Sequence, residues 1–207
     1  MECIKERELE FVKELKCLEH KKYIEKYFLF SAAPVLTGVK TAVLISFKNC
    51  CMEVWKEQMN QLENITGLVT KELYRSCETF SVLIYNKELL ETRVNSPIVK
   101  EILKRHDYPA DDLKNMLEHL SMRFTSCRFP HEIGVFLGYP PEDVCSFIEK
   151  SGKDYLCCRY WKVYHDEERA LEIFRFIDSA KAKAVELLKQ HIPLHRVAKM
   201  LATTEIA

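Results

Sequence analysis

The chain has 207 residues, of which 47% are hydrophobic, so it is long enough to bury a core without a disulfide or a metal. Its 31 basic residues balance 31 acidic ones, and no net charge draws it to nucleic acid or an anionic membrane. The most apolar window, residues 42–47, is far shorter than the roughly 20 residues of a membrane-spanning helix. The first ten residues are charged where an export signal is apolar, so we expect a soluble cytoplasmic protein without a membrane partner.

The nine cysteines accompany a large apolar composition, and we expect reduced thiols that mostly pack as small hydrophobes. Two adjacent pairs, Cys50–Cys51 and Cys157–Cys158, lack the CxxC spacing, and successive residues of a strand point to opposite faces. We therefore predict no metal site. The alternative is that one of these paired cysteines lies close in space to Cys127, Cys145 or His131 and ligates iron or haem.

The first half of the chain predicts helices around a buried strand. Residues 4–28 carry apolar side chains at helical spacing, which indicates one amphipathic helix. Pro34 interrupts the pattern, so residues 31–41 are predicted to be a loop. The apolar run 42–47 suits a buried strand, and residues 49–64 have the length and pattern of a helix.

A β-hairpin is predicted next. Residues 68–75 and 79–85 are rich in β-forming side chains and flank a short polar connection. Alternation along the second run places Phe80, Val82 and Ile84 toward the core.

The second half is predicted to be mainly helical, with one further strand. Three helices are expected over residues 86–125, broken near prolines. A short helix over residues 131–137 ends at Gly138, and another begins at Pro140. The β-rich run 155–164 is predicted to be a fourth strand.

The C-terminal part predicts a long helix over residues 166–191 followed by a short one. We expect residues 166–207 to form a helical hairpin packed on the rest. The sequence has no repeat or linker-like segment. It therefore predicts one α+β domain over residues 1–207, with a small sheet of about four strands that includes a hairpin, and seven or eight helices.

Residues 130–164 contain several distinctive strings. These are HEIG at 131–134, LGYP at 137–140 and YWKVY at 160–164, preceded in the chain by APVLTGVKTA at 33–42. They resemble the signature of the family known as domain of unknown function 3793, found mainly in anaerobic bacteria. That family usually has cysteine where Ala33 stands and glycine where His165 stands. The resemblance implies a cytoplasmic protein of anaerobic metabolism that accompanies flavodoxins or iron-handling proteins, and it implies no established reaction.

His131 and Glu132 are the candidate catalytic pair. They begin a helix near the next helix start, so an imidazole, a carboxylate and free backbone amides could converge there. Histidine suits a general acid or base, and Glu132 could orient it. HEIG lacks the second histidine of a zinc protease. The alternative is that His131 packs this corner while Gly138 and the prolines shape a turn.

Candidate binding residues lie on the predicted strand and in two glycine-containing strings. Lysines can hold an anionic group and aromatic rings can form a wall for a planar ligand, although solvated lysines and core aromatics are the plain alternative. One strand face would carry four of the candidates. The predicted binding residues are Lys40, Tyr139, Cys158, Tyr160, Lys162 and Tyr164.

Three functions remain open at this point. The leading hypothesis is an accessory protein that binds a redox cofactor, a tetrapyrrole, an iron-linked ligand or a flavodoxin-like partner, with the cofactor unidentified. The second is a small acid–base enzyme that uses His131 on an anionic substrate. The third is a DNA-binding regulator, because residues 181–203 resemble part of a helix-turn-helix. The turn lacks its usual glycine, so we expect an amphipathic helical hairpin and no nucleic-acid partner.

Overall fold

The computed structural model describes residues 2–110, 112–126, 129–190 and 192–204. Over these residues it has ten α-helices, one 3-10 turn and five strands. The helices are α1 (Glu2–Leu15), α2 (His20–Leu36), α3 (Met52–Thr66), α4 (Lys87–Val94), α5 (Pro97–Lys104), α6 (Leu113–Ser126), α7 (Ile133–Phe136), α8 (Pro141–Glu149), α9 (Glu167–Lys189) and α10 (Leu194–Ala202). The strands are β1 (Ala42–Lys48), β2 (Val69–Arg75), β3 (Thr79–Tyr85), β4 (Cys157–Cys158) and β5 (Lys162–Val163).

β1, β3 and β2 form an antiparallel sheet in that order, with β3 at the centre. Ala42 at the start of β1 lies opposite Tyr85 at the end of β3. The β2–β3 pair is the predicted hairpin, and its register shifts between Glu72 and Tyr74. The mixture of helices and antiparallel sheet confirms the predicted α+β class. In place of one sheet of about four strands there are a three-stranded and a two-stranded sheet, and the described residues form ten helices where seven or eight were expected.

The central strand β3 is buried on both faces. Phe80, Val82 and Ile84 are fully buried in a cluster with side chains from α2, α3, α9 and α10, as the alternation predicted. Leu83 and Tyr85 point into a second cluster built mainly from α4 to α8. The sheet therefore separates two apolar layers.

Two N-terminal predictions are wrong. The helix expected over residues 4–28 breaks after Leu15, where a tight turn lets α1 fold back so that the Phe11 and Phe30 rings lie 5.5 Å apart. Residues 31–36, expected in a loop, continue α2, and Pro34 lies inside that helix. Residues 32–36 are all buried, and this apolar burial outweighs the helix-breaking tendency of Pro34.

The prediction of a single strand over residues 155–164 is also wrong. The segment forms a short hairpin in which Cys157 pairs with Val163 and Cys158 with Lys162, and residues 159–161 make the turn. Trp161 and Val163 pack with Phe174 of α9 in a third apolar cluster. Because the run bends at its middle, its side chains do not alternate between two faces.

The C-terminal helices pack on other helices. α9 contacts α1 and α2, and α10 contacts α2, α3 and α9 through buried Val197, Ala198 and Leu201. The predicted end of the long helix at His191 lies outside the described residues, and α9 ends at Lys189. Among the described helices, we find no helix whose length and apolar character would let it cross a membrane.

Candidate functional site

The corner between α7 and α8 is closely packed. A Cβ atom added to Gly134 would lie 2.7 Å from Cγ2 of Val144, so only glycine lets the two helices approach this closely. Gly138 ends the turn with φ +79°, a conformation that favours glycine. The backbone N–H of Tyr139 donates to the Gly134 carbonyl at 2.9 Å. The glycines of the HEIG and LGYP strings are thus explained by packing and turn geometry.

Asp143 joins α8 to the β4–β5 hairpin. Its carboxylate is buried, and Oδ2 accepts a hydrogen bond from Nε1 of Trp161 at 2.8 Å. Oδ1 accepts from the backbone N–H groups of Tyr164 at 2.8 Å and His165 at 2.9 Å. These bonds satisfy backbone donors that a continuous strand would pair with a neighbour, which is one reason why β5 is short.

Asp178 of α9 holds the turn of the same hairpin. It is also buried, and its two carboxylate oxygens accept from the guanidinium of Arg159 at 2.7 Å and from the hydroxyl of Tyr160 at 2.6 Å. Burial, with the hydrogen bond to Asp178, raises the pKa of Tyr160 far above its ordinary value. Tyr160 therefore stays a hydrogen-bond donor at physiological pH.

A pocket of about 270 Å³ lies between this hairpin and the α7–α8 corner. Its walls are largely aromatic: Phe129, Tyr139, Phe147 and Trp161 all line it. The Tyr139 and Trp161 rings are stacked, with centroids 5.2 Å apart and planes 28° apart. Flat apolar walls of this kind suit a planar ligand.

Cationic and titratable groups stand at the same pocket. Nζ of Lys162 donates to the Gly152 carbonyl at 2.7 Å and lies 4.7 Å from the Tyr155 ring centroid. The exposed His131 ring meets Phe147 edge to face, with centroids 5.0 Å apart. Arg159 also lines the pocket. The site thus combines aromatic walls with side chains that attract an anion.

Most of the predicted binding residues come together here. The pocket is lined by five of the eight candidates: His131, Tyr139, Cys158, Tyr160 and Lys162. Cys145 lies partly buried on α8, and Cys127 lies outside the described residues.

Glu132, proposed to orient His131, faces elsewhere. Its side chain is 1% exposed, accepts a hydrogen bond from Tyr108 at 3.1 Å and pairs with Arg123. The structure therefore does not place this carboxylate with His131 in the pocket.

Lys40 and Tyr164 lie beside the pocket residues without lining it. Nζ of Lys40 sits 4.9 Å from the centroid of the Tyr139 ring, behind the pocket wall. Burial, with the nearby charge of Lys181, lowers the pKa of Lys40 to about 7. Tyr164 is buried, with Nζ of Lys150 5.2 Å from its ring centroid, and burial raises its pKa.

Sequence reasoning missed the two buried carboxylates. Asp143 lies in the first turn of α8, where acidic residues are common because they interact favourably with the helix dipole, so its position in the sequence does not indicate a buried role. Asp178 follows Phe174 by four residues on the buried face of α9, next to Ile177. A carboxylate on the apolar face of an amphipathic helix was the signal that could have identified it.

No curated protein and no solved structure matches the chain significantly. Residues 28–198 match the family described as "Protein of unknown function (DUF3793)". The match includes the α7–α8 corner, the β4–β5 hairpin and both buried carboxylates. The resemblance predicted from residues 130–164 is thereby confirmed, and the chain belongs to this family.

Proposed function

We propose that the protein binds a planar aromatic ligand that carries an anionic group, of the redox-cofactor class, in the pocket between the α7–α8 corner and the β4–β5 hairpin. The observation that carries this proposal is the combination of stacked Tyr139 and Trp161 with Lys162 and His131 in one pocket. Aromatic walls contact a flat ring, and cations fix its charged substituent.

The size of the pocket limits which ligands could fit. Its volume of about 270 Å³ is just under the range of roughly 300–1,000 Å³ that drug-sized ligands occupy. A fused ring system such as isoalloxazine would insert with its side chain directed outward, whereas a tetrapyrrole would leave much of its ring outside. The geometry therefore favours a flavin-sized ligand over haem.

The same geometry favours binding over acid–base catalysis. Among the described residues that line the pocket, Asp143 is the only carboxylate, and its oxygens already accept three hydrogen bonds. Glu132 is engaged by Tyr108 and Arg123. His131 thus lacks the orienting carboxylate on which the enzyme hypothesis depended.

The test is a comparison of FMN with riboflavin, which share the isoalloxazine ring and differ in the phosphate. We expect both to quench Trp161 fluorescence and FMN to bind about tenfold more tightly, since one charge-assisted hydrogen bond contributes roughly 1.5 kcal/mol. Lys162→Gln should abolish the preference for FMN while leaving riboflavin affinity nearly unchanged. Haem, added as a third probe, should bind more weakly than FMN.

Lys153→Gln is the matched control, because Lys153 is exposed nearby and does not line the pocket. It should keep the preference for FMN. If neither flavin binds at a concentration of about 1 mM, or if Lys153→Gln and Lys162→Gln act alike, the proposal fails.

A further inference from the structure

Three side chains that can ligate a metal lie close together in space. They come from a part of the sequence far from the pocket residues. They are His20, Cys50 and Cys51, and their donor atoms all lie within 4.8 Å of one another. His20 is the first residue of α2, and the cysteines belong to the 3-10 turn that joins β1 to α3. None of the three lines the pocket described above.

The turn explains how adjacent cysteines can face one point. Successive side chains of a strand point to opposite sides, but on a 3-10 turn they are only about 120° apart. Asn49 fixes this turn: its backbone N–H donates to the Glu78 carbonyl at 2.9 Å, and its Nδ2 donates to the Ser76 carbonyl at 3.0 Å. On this turn, unlike on a strand, two adjacent thiols can therefore approach one metal ion.

The distances suit a tetrahedral ion. In a tetrahedral zinc site with Zn–S bonds of about 2.3 Å, sulfur atoms lie about 3.8 Å apart. Donors within 4.8 Å of one another therefore reach this geometry by small side-chain rotations. Two thiolates and a neutral imidazole also balance the charge of a divalent cation, so the site needs no further acidic neighbour.

We propose that His20, Cys50 and Cys51 bind one thiophilic divalent cation of the zinc class, with loss of two thiol protons. His20 and Cys50 are exposed and Cys51 is buried, so the fourth coordination position opens toward solvent. His20 precedes the family match at residues 28–198, whereas Cys50 and Cys51 lie within it, so the matched segment does not contain the whole ligand set. It is independent of the function proposed for the pocket.

The experiment is a titration of the whole, reduced protein with Co²⁺ and then Zn²⁺, without oxygen. Tetrahedral Co²⁺ has an absorption band in visible light, and thiolate ligands add a second, sulfur-to-cobalt charge-transfer band. We expect one equivalent of Co²⁺ to give both bands and one equivalent of Zn²⁺ to remove them. His20→Ala and Cys50→Ser, both at exposed positions that should not disturb folding, should each weaken Zn²⁺ binding at least about 100-fold.

The chain supplies its own control. Cys157 and Cys158 form the other adjacent pair but are not part of a group of three ligands among the described residues. The Cys157→Ser/Cys158→Ser variant should bind Co²⁺ as the wild type does. Absence of the bands in the wild type, an unchanged Zn²⁺ affinity of His20→Ala, or loss of the bands in the control variant would each overturn the proposal.

Discussion

The strand β3 lies between two layers of apolar side chains, whereas the β4–β5 hairpin is held by two buried carboxylates. Phe80 and Leu83 on β3 are fully buried on opposite faces. At the hairpin, Asp143 accepts hydrogen bonds from the Trp161 side chain and from the backbone N–H groups of residues 164 and 165. Asp178 accepts hydrogen bonds from the side chains of Arg159 and Tyr160. Non-directional burial therefore stabilises the sheet, while directional hydrogen bonds set the shape of the candidate site.

The largest effect is expected in the sheet. Phe80→Ala removes a fully buried ring that packs on Phe47 with centroids 5.4 Å apart. We expect the free energy of unfolding to fall by about 3–5 kcal/mol, measured by urea denaturation. Ser81→Ala on the same strand is the control and should change it by less than about 1 kcal/mol. Similar losses for both would contradict the two-layer account.

Asp143→Asn should have the next largest effect. The carboxylate accepts hydrogen bonds from Trp161, Tyr164 and His165 through both of its oxygens. An asparagine amide has only one accepting oxygen, and its NH2 group would face an N–H donor instead of accepting from it. We expect a loss of about 2 kcal/mol in urea denaturation and a red shift of tryptophan fluorescence.

Glu142→Gln controls for the charge lost at the start of α8, since Glu142 is the exposed neighbour in the same helical turn. It should leave the fluorescence maximum unchanged. If both variants shift the spectrum equally, Asp143 does not hold the hairpin through specific bonds.

Gly134→Ala should lower the free energy of unfolding by about 1–3 kcal/mol, because the added methyl group would be too close to Cγ2 of Val144. Val144→Ala removes that contact and should make the Gly134→Ala substitution less costly in the double variant. A double-mutant cycle by urea denaturation measures this coupling. Strict additivity would show that the α7–α8 approach does not require glycine.

Lys40→Met tests a different quantity, the dependence of folding stability on pH. The folded pKa of Lys40 is about 7 and its ordinary value is 10.5, so between these values the unfolded state binds more protons. The stability of the wild type should therefore rise relative to that of Lys40→Met as pH increases from 7 to 10. Thermal unfolding at both pH values measures this change. The exposed Lys153→Met should show no such drift, and a constant difference for Lys40→Met would refute its burial.

Periodicity predicted the parts of the fold that burial controls. The β2–β3 hairpin and the inward side of β3 follow from alternation at Phe80, Val82 and Ile84. Pro34 misled the prediction because local propensity could not weigh the burial of residues 32–36. The candidate site was located by its dense local signals, while its organisation depends on Asp178, which lies 19 residues beyond its partner Arg159.

The most direct test of the central claim is an NMR titration of the isotope-labelled protein with FMN. We expect amide shift changes confined to residues 129–147 and 157–162, with the indole signal of Trp161 among the most affected. These changes should saturate at one FMN per chain and weaken in Lys162→Gln. Saturable changes centred elsewhere, with the Trp161 indole unmoved, would contradict it.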